Sequence, residues 1–256
     1  MKHVFLDHHG DSESTSADQF LMSGRIPALV IATVLASSLH AVAGETIPYP
    51  PDMPLGGAAT SLGTLDHDPS PYFNHPDVYH LTNTPSRVVL PHFKTYQQTT
   101  EYTCGPAALV MAAEYRGKHL NELTIVTAAG TTEASGTSTA QMVAYLQDTG
   151  WTVRSSLTEP NVASLTFLQQ QVAHGHPVLV EWVDWAGHWE VVIGYDDLGT
   201  PATDADDVLI VADPYDTTDH LQDGYGLVSA DRFREMWFDH DVLPEGQREQ
   251  QWIIFY

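Results

Sequence analysis

Cysteine is almost absent from this chain of 256 residues, which contains Cys104 and no other. A single cysteine excludes any disulfide bond within the chain. In an intracellular protein a lone thiol is usually a small buried hydrophobic group, but in an exported protein an unpaired thiol is uncommon unless it is used. Whether Cys104 is expected to have a function therefore depends on the compartment of the protein.

Basic residues are also scarce. The chain has 10 Lys and Arg residues against 33 Asp and Glu residues, for a net charge of −23, and only three residues are lysine. Such a charge repels the phosphates of nucleic acids and the head groups of anionic membranes. We therefore expect no nucleic-acid partner, while the hydrophobic content of 43% is ample for one folded domain with a core.

Long hydrophobic runs are lacking except for one, which follows Arg25. The run Ile26–Leu39 is short for a membrane span and is followed by the small-x-small pattern that ends at Ala43. This pattern predicts a secretory signal peptide cut after Ala43, with a membrane anchor or a buried helix as the alternative. The acidic leader 1–21 is unusual for a signal peptide, so the true start, Met1 or Met22, stays open. We expect a secreted or periplasmic protein with no stable membrane insertion after cleavage.

The composition divides the rest of the chain into two parts. Residues 44–87 are rich in Pro, Gly, Asp and Asn and predict an irregular arm, whereas 88–256 form the predicted domain. Whether the arm lies across the functional site as an inhibitory propeptide stays open. Within the domain, the acidic stretch 196–207 lacks the spaced ligands and closing Glu of known calcium loops, which favours a solvated loop and leaves calcium binding open.

Apolar periodicity and capping residues predict helices first and mainly strands later, which indicates the α+β class. The predicted helices cover 105–115, 121–129, 138–148 (capped by Thr137 or Ser138), 164–173 (begun by Asn161 or Ser164) and 229–238. The predicted strands are Val88–Pro91, Trp151–Ser156, Pro177–Val183, Trp189–Tyr195, Val208–Ala212 and Gln251–Tyr256.

The segment around Cys104 has the local design of a nucleophile. In QTTEYTCGPAALVMAAEY, Gly105 and Pro106 supply the bend and the first helical turn, and good helix formers follow. A thiol at the N-terminus of a helix lies at the positive end of the helix dipole, which stabilises a thiolate. Cys104 is therefore the candidate nucleophile.

Cysteine catalysis also requires a base, a group that orients the base and donors for the oxyanion. His188 lies between two apolar strands and is the candidate base, and Asp213 ends the next strand, where it can orient the imidazole if the strands are antiparallel neighbours. Gln98 lies six residues before Cys104 and can supply an oxyanion donor; on physical grounds the adjacent Gln97 is an alternative.

Three tryptophans flank the candidate base. Trp182, Trp185 and Trp189 either line a substrate cleft or belong to the core, and the sequence alone does not choose between these roles. The histidines elsewhere lack the spacing of metal ligands, so we expect no metal and no cofactor.

The three motifs together carry a resemblance to a known family. Gln98-T-T-E-Y-T-Cys104-G-P-A, G-His188-W-E-V-V-I-G-Y-D and V-A-Asp213-P-Y resemble the peptidase-like domain of the bacteriocin-processing, double-glycine-leader cysteine peptidases of the papain-like superfamily, over about residues 88–215. The resemblance implies a papain-like fold, in which N-terminal helices carry the nucleophile and pack on an antiparallel sheet that carries histidine and aspartate. It also implies the roles of oxyanion glutamine for Gln98, nucleophile for Cys104, base for His188 and orienting acid for Asp213.

The resulting functional expectation is a secreted cysteine hydrolase that cleaves a peptide or isopeptide bond of a peptide or protein substrate through a thioester. Alternatives are an acyltransferase and a catalytically weak module that binds peptides or cell walls. The sequence has neither the transmembrane domain nor the phosphate-binding glycine loop of the transporter-linked members, so it resembles their stand-alone, exported relatives. The family implies the chemistry and leaves the substrate open.

Overall fold

The computed structural model describes residues 45–48, 76–217 and 222–256, so the predicted signal peptide and residues 49–75 of the arm lie outside the described residues. Two short 3-10 turns, Val78–His80 and Asp184–Ala186, accompany the helices and strands. In chain order the helices and strands are β1 (Arg87–Val89), α1 (Cys104–Tyr115), α2 (Glu122–Ala129), α3 (Thr139–Asp148), β2 (Val153–Ser155), α4 (Leu165–Ala173), β3 (Val178–Trp182), β4 (His188–Asp196), β5 (Val208–Ala212), β6 (Tyr225–Ser229), α5 (Ala230–Met236) and β7 (Gln251–Phe255).

The strands form one antiparallel sheet of seven strands in the order β2-β7-β3-β4-β5-β6, and β1 also pairs with β4. The long strand β4 is the centre of this arrangement, since it pairs with β3, β5 and β1. Trp182 of β3 faces His188 of β4, and Val191 of β4 faces Ala212 of β5. Because Ala212 is the last residue of β5, the chain leaves the sheet beside the beginning of β4.

Helix α1 is buried on nearly every side, as its apolar sequence predicts. It packs on β4 and β3, and its second residue, Gly105, lies against the indole ring of Trp189. A methyl group on Gly105 would lie 2.9 Å from Sδ of Met142 and 3.3 Å from Cδ1 of Trp189. The absence of a side chain at Gly105 therefore lets the beginning of α1 approach the strand that carries His188.

The predicted α+β class is confirmed, with the helix that carries Cys104 packed on an antiparallel sheet that carries His188 and precedes Asp213. The predicted helices are present, and two of the capping residues are as expected: Ser138 forms a capping box with Gln141, and Ser164 accepts a hydrogen bond from the backbone N–H of Phe167.

Strand β6 was not predicted from the sequence. Its sequence, YGLVS, is short and contains Gly226, which weakens the strand signal. The strand pairs with β5 over its whole length, and Tyr225 donates a hydrogen bond from its hydroxyl to the carbonyl of Phe93. The tertiary pairing with β5 therefore decides its conformation.

The described part of the arm adds a short extended segment to the domain. The backbone N–H of Ile47 donates to the carbonyl of Thr95 at 2.9 Å, and Thr46 forms a parallel bridge with Thr95. Glu45 accepts a hydrogen bond from the hydroxyl of Tyr79 and lies 3.4 Å from the ammonium of Lys94. These contacts hold the arm beside the segment that leads to Gln98.

In the acidic loop between β4 and β5, several carboxylates are paired with donors of the protein itself. Arg234 forms an ion pair with Asp204, and the hydroxyl of Thr200 donates to Asp206 at 2.9 Å. The arginine supplies part of the positive charge that a calcium ion would bring to such a cluster.

We expect Gly105→Ala to destabilise the fold by roughly 1–3 kcal/mol, because the added methyl group overpacks the contact between α1 and β4. Thermal unfolding of the two proteins measures this change. Adding Met142→Ala to Gly105→Ala should cost less than the sum of the two single substitutions, since it opens space for the methyl group. Equal melting temperatures for wild type and Gly105→Ala would contradict the packing argument.

Candidate active site

Cys104 is the first residue of α1. The preceding residue, Thr103, forms no side-chain hydrogen bond that caps the helix, and the first backbone N–H groups of a helix have no acceptor within it. These groups and the helix dipole together create a positive environment around the thiol. Cys104 is only 8% exposed, so the residue lies in a largely desolvated site.

The pairing of β4 with β5 brings the other two candidate residues together. His188 begins β4, Asp213 follows the last residue of β5, and the two strands are antiparallel neighbours, which is the condition that the sequence analysis set. Nε2 of His188 lies 2.7 Å from Oδ1 of Asp213, and both side chains are buried. When Nε2–H donates to Asp213, the accepting nitrogen of the neutral imidazole is Nδ1.

The electrostatics of the site favour a charged imidazole. Burial by itself lowers the pKa of His188, but the charge and the hydrogen bond of Asp213, together with a hydrogen bond and charge interaction with Cys104, outweigh burial and hold the pKa well above its usual value. The three candidates Cys104, His188 and Asp213 therefore form one interacting group. This arrangement can transfer a proton from the thiol to the imidazole and stabilise the resulting ion pair.

The segment before Cys104 is fastened to the segment that contains Asp213. The backbone N–H of Gln98 donates to the carbonyl of Pro214 at 2.8 Å, and the side chain of Gln97 donates to the carbonyl of Asp213 at 3.3 Å. The carboxylate of Asp213 also accepts a hydrogen bond from the backbone N–H of Tyr215 at 2.7 Å. These bonds fix the aspartate relative to the turn that leads into α1.

Gln98 is buried at the beginning of that turn. Its Nε2 donates to the carbonyl of Thr100 at 2.7 Å, while its Oε1 has no hydrogen-bond partner among the described residues. The bond to Thr100 fixes the orientation of the amide and engages one of the two hydrogens on Nε2. The structure therefore holds Gln98 rigidly in the turn before Cys104.

A buried glutamate that the sequence analysis did not select supports the same turn. Glu122, at the beginning of α2, accepts hydrogen bonds from the backbone N–H and the hydroxyl of Thr99 and from the hydroxyl of Tyr96. Burial raises the pKa of Glu122, and its hydrogen bonds partly offset this rise. A glutamate is seldom fully buried, so this role of Glu122 was not predictable from the sequence.

The structure separates the three tryptophans that flank His188. Trp182 and Trp189 are only 2% exposed: the ring of Trp182 packs on Phe233, and Nε1 of Trp189 donates to the carbonyl of Thr137. These two residues belong to the core, so the interpretation that they line a substrate cleft is wrong. Trp185 is 59% exposed, and its ring packs edge-to-face on Tyr215.

Three further carboxyl groups lie near the beginning of β4, and one of them, Glu190, lies close to the imidazole of His188. Oε1 of Glu190 lies 4.0 Å from Nε2 of His188, and burial together with the charge of Asp213 raises the pKa of Glu190 well above its usual value. Glu181 of β3 interacts with Asp239, which follows α5. None of the three was predicted as a site residue, although a glutamate inside an apolar strand, as in VLVEW and HWEVVI, indicates the burial of Glu181 and Glu190.

One group of the described residues has the spacing to hold a metal ion. The ligand atoms of His188, Glu190 and Asp213 lie within 4.8 Å of one another. The donor set does not fit a resident metal, because Nε2 of His188, the nitrogen that would bind the ion, is already hydrogen-bonded to Asp213. We derive no metal chemistry from this group.

A comparison of the sequence with protein families covers the part of the chain that contains the candidate site. The model of the Peptidase_C39 like family matches residues 91–237, which is more than half of the chain and includes all four residues of the candidate site. The chain belongs to this family. The resemblance to bacteriocin-processing peptidases is thereby confirmed, and the C39-like domain has a cysteine peptidase-like scaffold.

Solved structures that are similar to the C39-like chain include a peptidase domain, a peptidase and a protease. The peptidase domain of Streptococcus ComA, a bi-functional ABC transporter involved in a quorum-sensing pathway, is 19% identical with a TM-score of 0.46 and covers 64% of this chain and 98% of its own. A putative C39-like peptidase from Bacillus anthracis is 14% identical with a TM-score of 0.48 (66% and 97% covered). A double glycine motif protease from an AMS/PCAT transporter, in complex with its leader peptide, is 14% identical with a TM-score of 0.42 (67% and 94% covered).

A search of curated proteins found no match to the C39-like chain. Among the described residues, none of the helices has the length and hydrophobicity needed to cross a bilayer.

We expect the imidazole of His188 to titrate above the usual value of about 6.5, and Asp213→Asn to lower this pKa because it removes the partner charge. The measurement is an NMR titration of the ring nitrogens in Cys104→Ala proteins, with His188→Gln to assign the signal. By linkage, the pair contributes stability that is present at low pH and is lost as the pH rises through the folded-state pKa. An unchanged titration in Asp213→Asn would contradict the assignment of the charge.

Proposed function

We propose that this protein is a secreted cysteine hydrolase that cleaves a peptide or isopeptide bond through a thioester. The observation that carries the proposal is the interacting group at the beginning of α1. The thiol of Cys104 interacts electrostatically with the imidazole of His188, and His188 is held by Asp213 at 2.7 Å in a buried site. Membership of a peptidase-like family supports a peptide or protein as the substrate.

In the first half of the proposed reaction, Nδ1 of His188 accepts the proton of the Cys104 thiol, and the thiolate attacks the carbonyl carbon of the scissile bond. The carbonyl oxygen becomes negatively charged. The backbone N–H of Cys104 and the second amide hydrogen of Gln98 donate hydrogen bonds to this oxygen. These donors are fixed before the reaction by α1 and by the bond of Gln98 to Thr100.

In the second half, the tetrahedral intermediate collapses. The carbon–nitrogen bond breaks, the imidazolium of His188 gives its proton to the leaving amine, and the acyl group remains on the sulfur of Cys104 as a thioester. A water molecule then loses a proton to His188 and attacks the thioester, which restores the thiol and releases a carboxylic acid. Asp213 stays ionised throughout and keeps the ring in one tautomer and orientation.

We expect Cys104→Ala to abolish turnover of a peptide substrate selected from a library, because no other cysteine can form the acyl-enzyme. Gln98→Ala should lower kcat by about 10²–10³, the usual cost of losing one oxyanion donor, with a much smaller effect on KM. Gln97→Ala is the matched control, since its amide donates to the backbone of Asp213 instead.

Steady-state kinetics of the three proteins measures these effects. Full turnover by Cys104→Ala would refute a cysteine hydrolase, and a larger loss in Gln97→Ala than in Gln98→Ala would refute the role given to Gln98. Peptide binding without turnover by any of the proteins would favour the binding module, and release of an amide formed with an added amine would favour an acyltransferase.

Export is part of the proposal and rests on the hydrophobic run that ends at Ala43. We expect the protein expressed from its full sequence in a bacterial host to leave the cytoplasm with Gly44 as its first residue. Intact mass and N-terminal sequencing of the extracytoplasmic fraction test this expectation. A full-length product that remains in the cytoplasm would contradict it.

A further inference from the structure

The buried carboxyl groups of Glu181 and Asp239 lie close to Gly187, the residue that precedes His188. A methyl group placed on Gly187 would lie 2.4 Å from Oδ2 of Asp239 and 3.3 Å from Oε1 of Glu181. Glu181 lies in the middle of β3, and Asp239 follows α5, so two distant parts of the chain converge on this one glycine. Both carboxyl groups are buried in the folded protein.

The chain adopts an uncommon conformation at the same place. Trp185, Ala186 and Gly187 have φ values of 50°, 66° and 109°, so three consecutive residues lie in the left-handed region. The first two are not glycine and pay a steric cost for this conformation. The surrounding structure must therefore hold the turn in place, and the next residue is His188.

The hydrogen bonds of Asp239 indicate where a proton lies in this carboxyl pair. Oδ1 of Asp239 accepts hydrogen bonds from the backbone N–H groups of Asp241 and Val242, at 2.8 and 3.0 Å, so this oxygen is already satisfied. Oδ2 of Asp239 and Oε2 of Glu181 are buried, and neither oxygen accepts a hydrogen bond from a donor group of the described residues. A single proton on Glu181, donated to Asp239, satisfies both groups.

The electrostatics agree with this placement. Burial, followed by the hydrogen bond to Asp239 and its negative charge, raises the pKa of Glu181 to about 11. The other charges that act on Glu181 are those of Cys104, which raises the pKa further, and His188, which lowers it. In the sheet, Glu181 is flanked by Trp189 of β4 and Gln251 of β7, which carry no charge.

We propose that Glu181 and Asp239, joined by one proton, are positioning residues that clamp the turn at Gly187 and thereby hold His188 against Cys104. The protonated Glu181 supplies the hydrogen bond of the clamp without placing a negative charge beside the thiolate. The inference rests on the proposed function, because it concerns the pairing of His188 with Cys104. Neither carboxyl group touches the substrate in this account.

The test compares Glu181→Gln with Glu181→Leu. Glutamine keeps a neutral donor for Asp239, whereas leucine has a similar volume and no donor. The rate of Cys104 alkylation by iodoacetamide is measured against pH, at a temperature at which circular dichroism shows every variant to be folded. Asp207→Leu is the matched control, since Asp207 is a buried carboxyl group hydrogen-bonded to Tyr195 at the opposite end of β4.

We expect Glu181→Gln to reproduce the wild-type profile, and Glu181→Leu to react roughly 10- to 100-fold more slowly at pH 6, since a small displacement of a reacting group has effects of this size. The control should lose stability and keep the wild-type profile. If Glu181→Leu does not fold, Glu181→Met replaces it, because methionine also has a similar volume and no donor for Asp239. Its rate at pH 6 should fall in the same way.

Other outcomes overturn the inference. A faster reaction of Glu181→Gln at low pH would mean that an ionised Glu181 opposes the thiolate in the wild type. A wild-type profile for Glu181→Leu, or for Glu181→Met where it replaces Glu181→Leu, would mean that the clamp does not position His188. An ordinary thiol profile in the wild type itself would refute the proposed function, and the inference with it.

Discussion

The hydrogen bond between His188 and Asp213 is the interaction on which the rest of the site depends. It joins the first residue of β4 to the residue that follows β5, at 2.7 Å and away from water. A hydrogen bond to a charged group contributes about 1.5–3 kcal/mol, and removing one partner would leave a buried charge uncompensated. The antiparallel register of β4 and β5 is therefore also a requirement of the chemistry, because a shift by one residue would turn the imidazole to the other face of the sheet.

Helix α1 provides the other half of the site by steric means. Its apolar surface packs on β3 and β4, and the missing side chain at Gly105 lets the helix approach β4 closely. The thiol of Cys104 therefore lies at a fixed distance from the strand that carries His188. Two hydrogen bonds fix the turn before α1. The backbone N–H of Thr99 donates to Glu122, and the backbone N–H of Gln98 donates to the carbonyl of Pro214. Cys104, His188 and Asp213 thus come from three segments that the core holds together.

Much of this arrangement was predictable from local patterns. Local signals include the bend at Gly105 and Pro106 and the capping residues Ser138 and Ser164. Short motifs likewise identified Cys104, His188 and Asp213, and the structure shows the corresponding elements in place. The buried carboxyl groups Glu122, Glu181, Glu190 and Asp239 were not predictable in the same way. Their partners lie far away in the sequence, and each residue type is far more often exposed than buried. Strand β6 was missed for a similar reason, since its stability comes from pairing with β5.

The most direct test of the central claim is the alkylation of Cys104 by iodoacetamide as a function of pH, followed by intact mass, in the wild type and in His188→Ala. The account predicts that the wild-type thiol reacts rapidly well below the ordinary thiol pKa of about 8.5, and that His188→Ala reverts to the profile of a free cysteine. Such a result would demonstrate a thiolate–imidazolium pair. Identical free-thiol profiles in the two proteins would contradict the account, because Cys104 and His188 would then not act as one group.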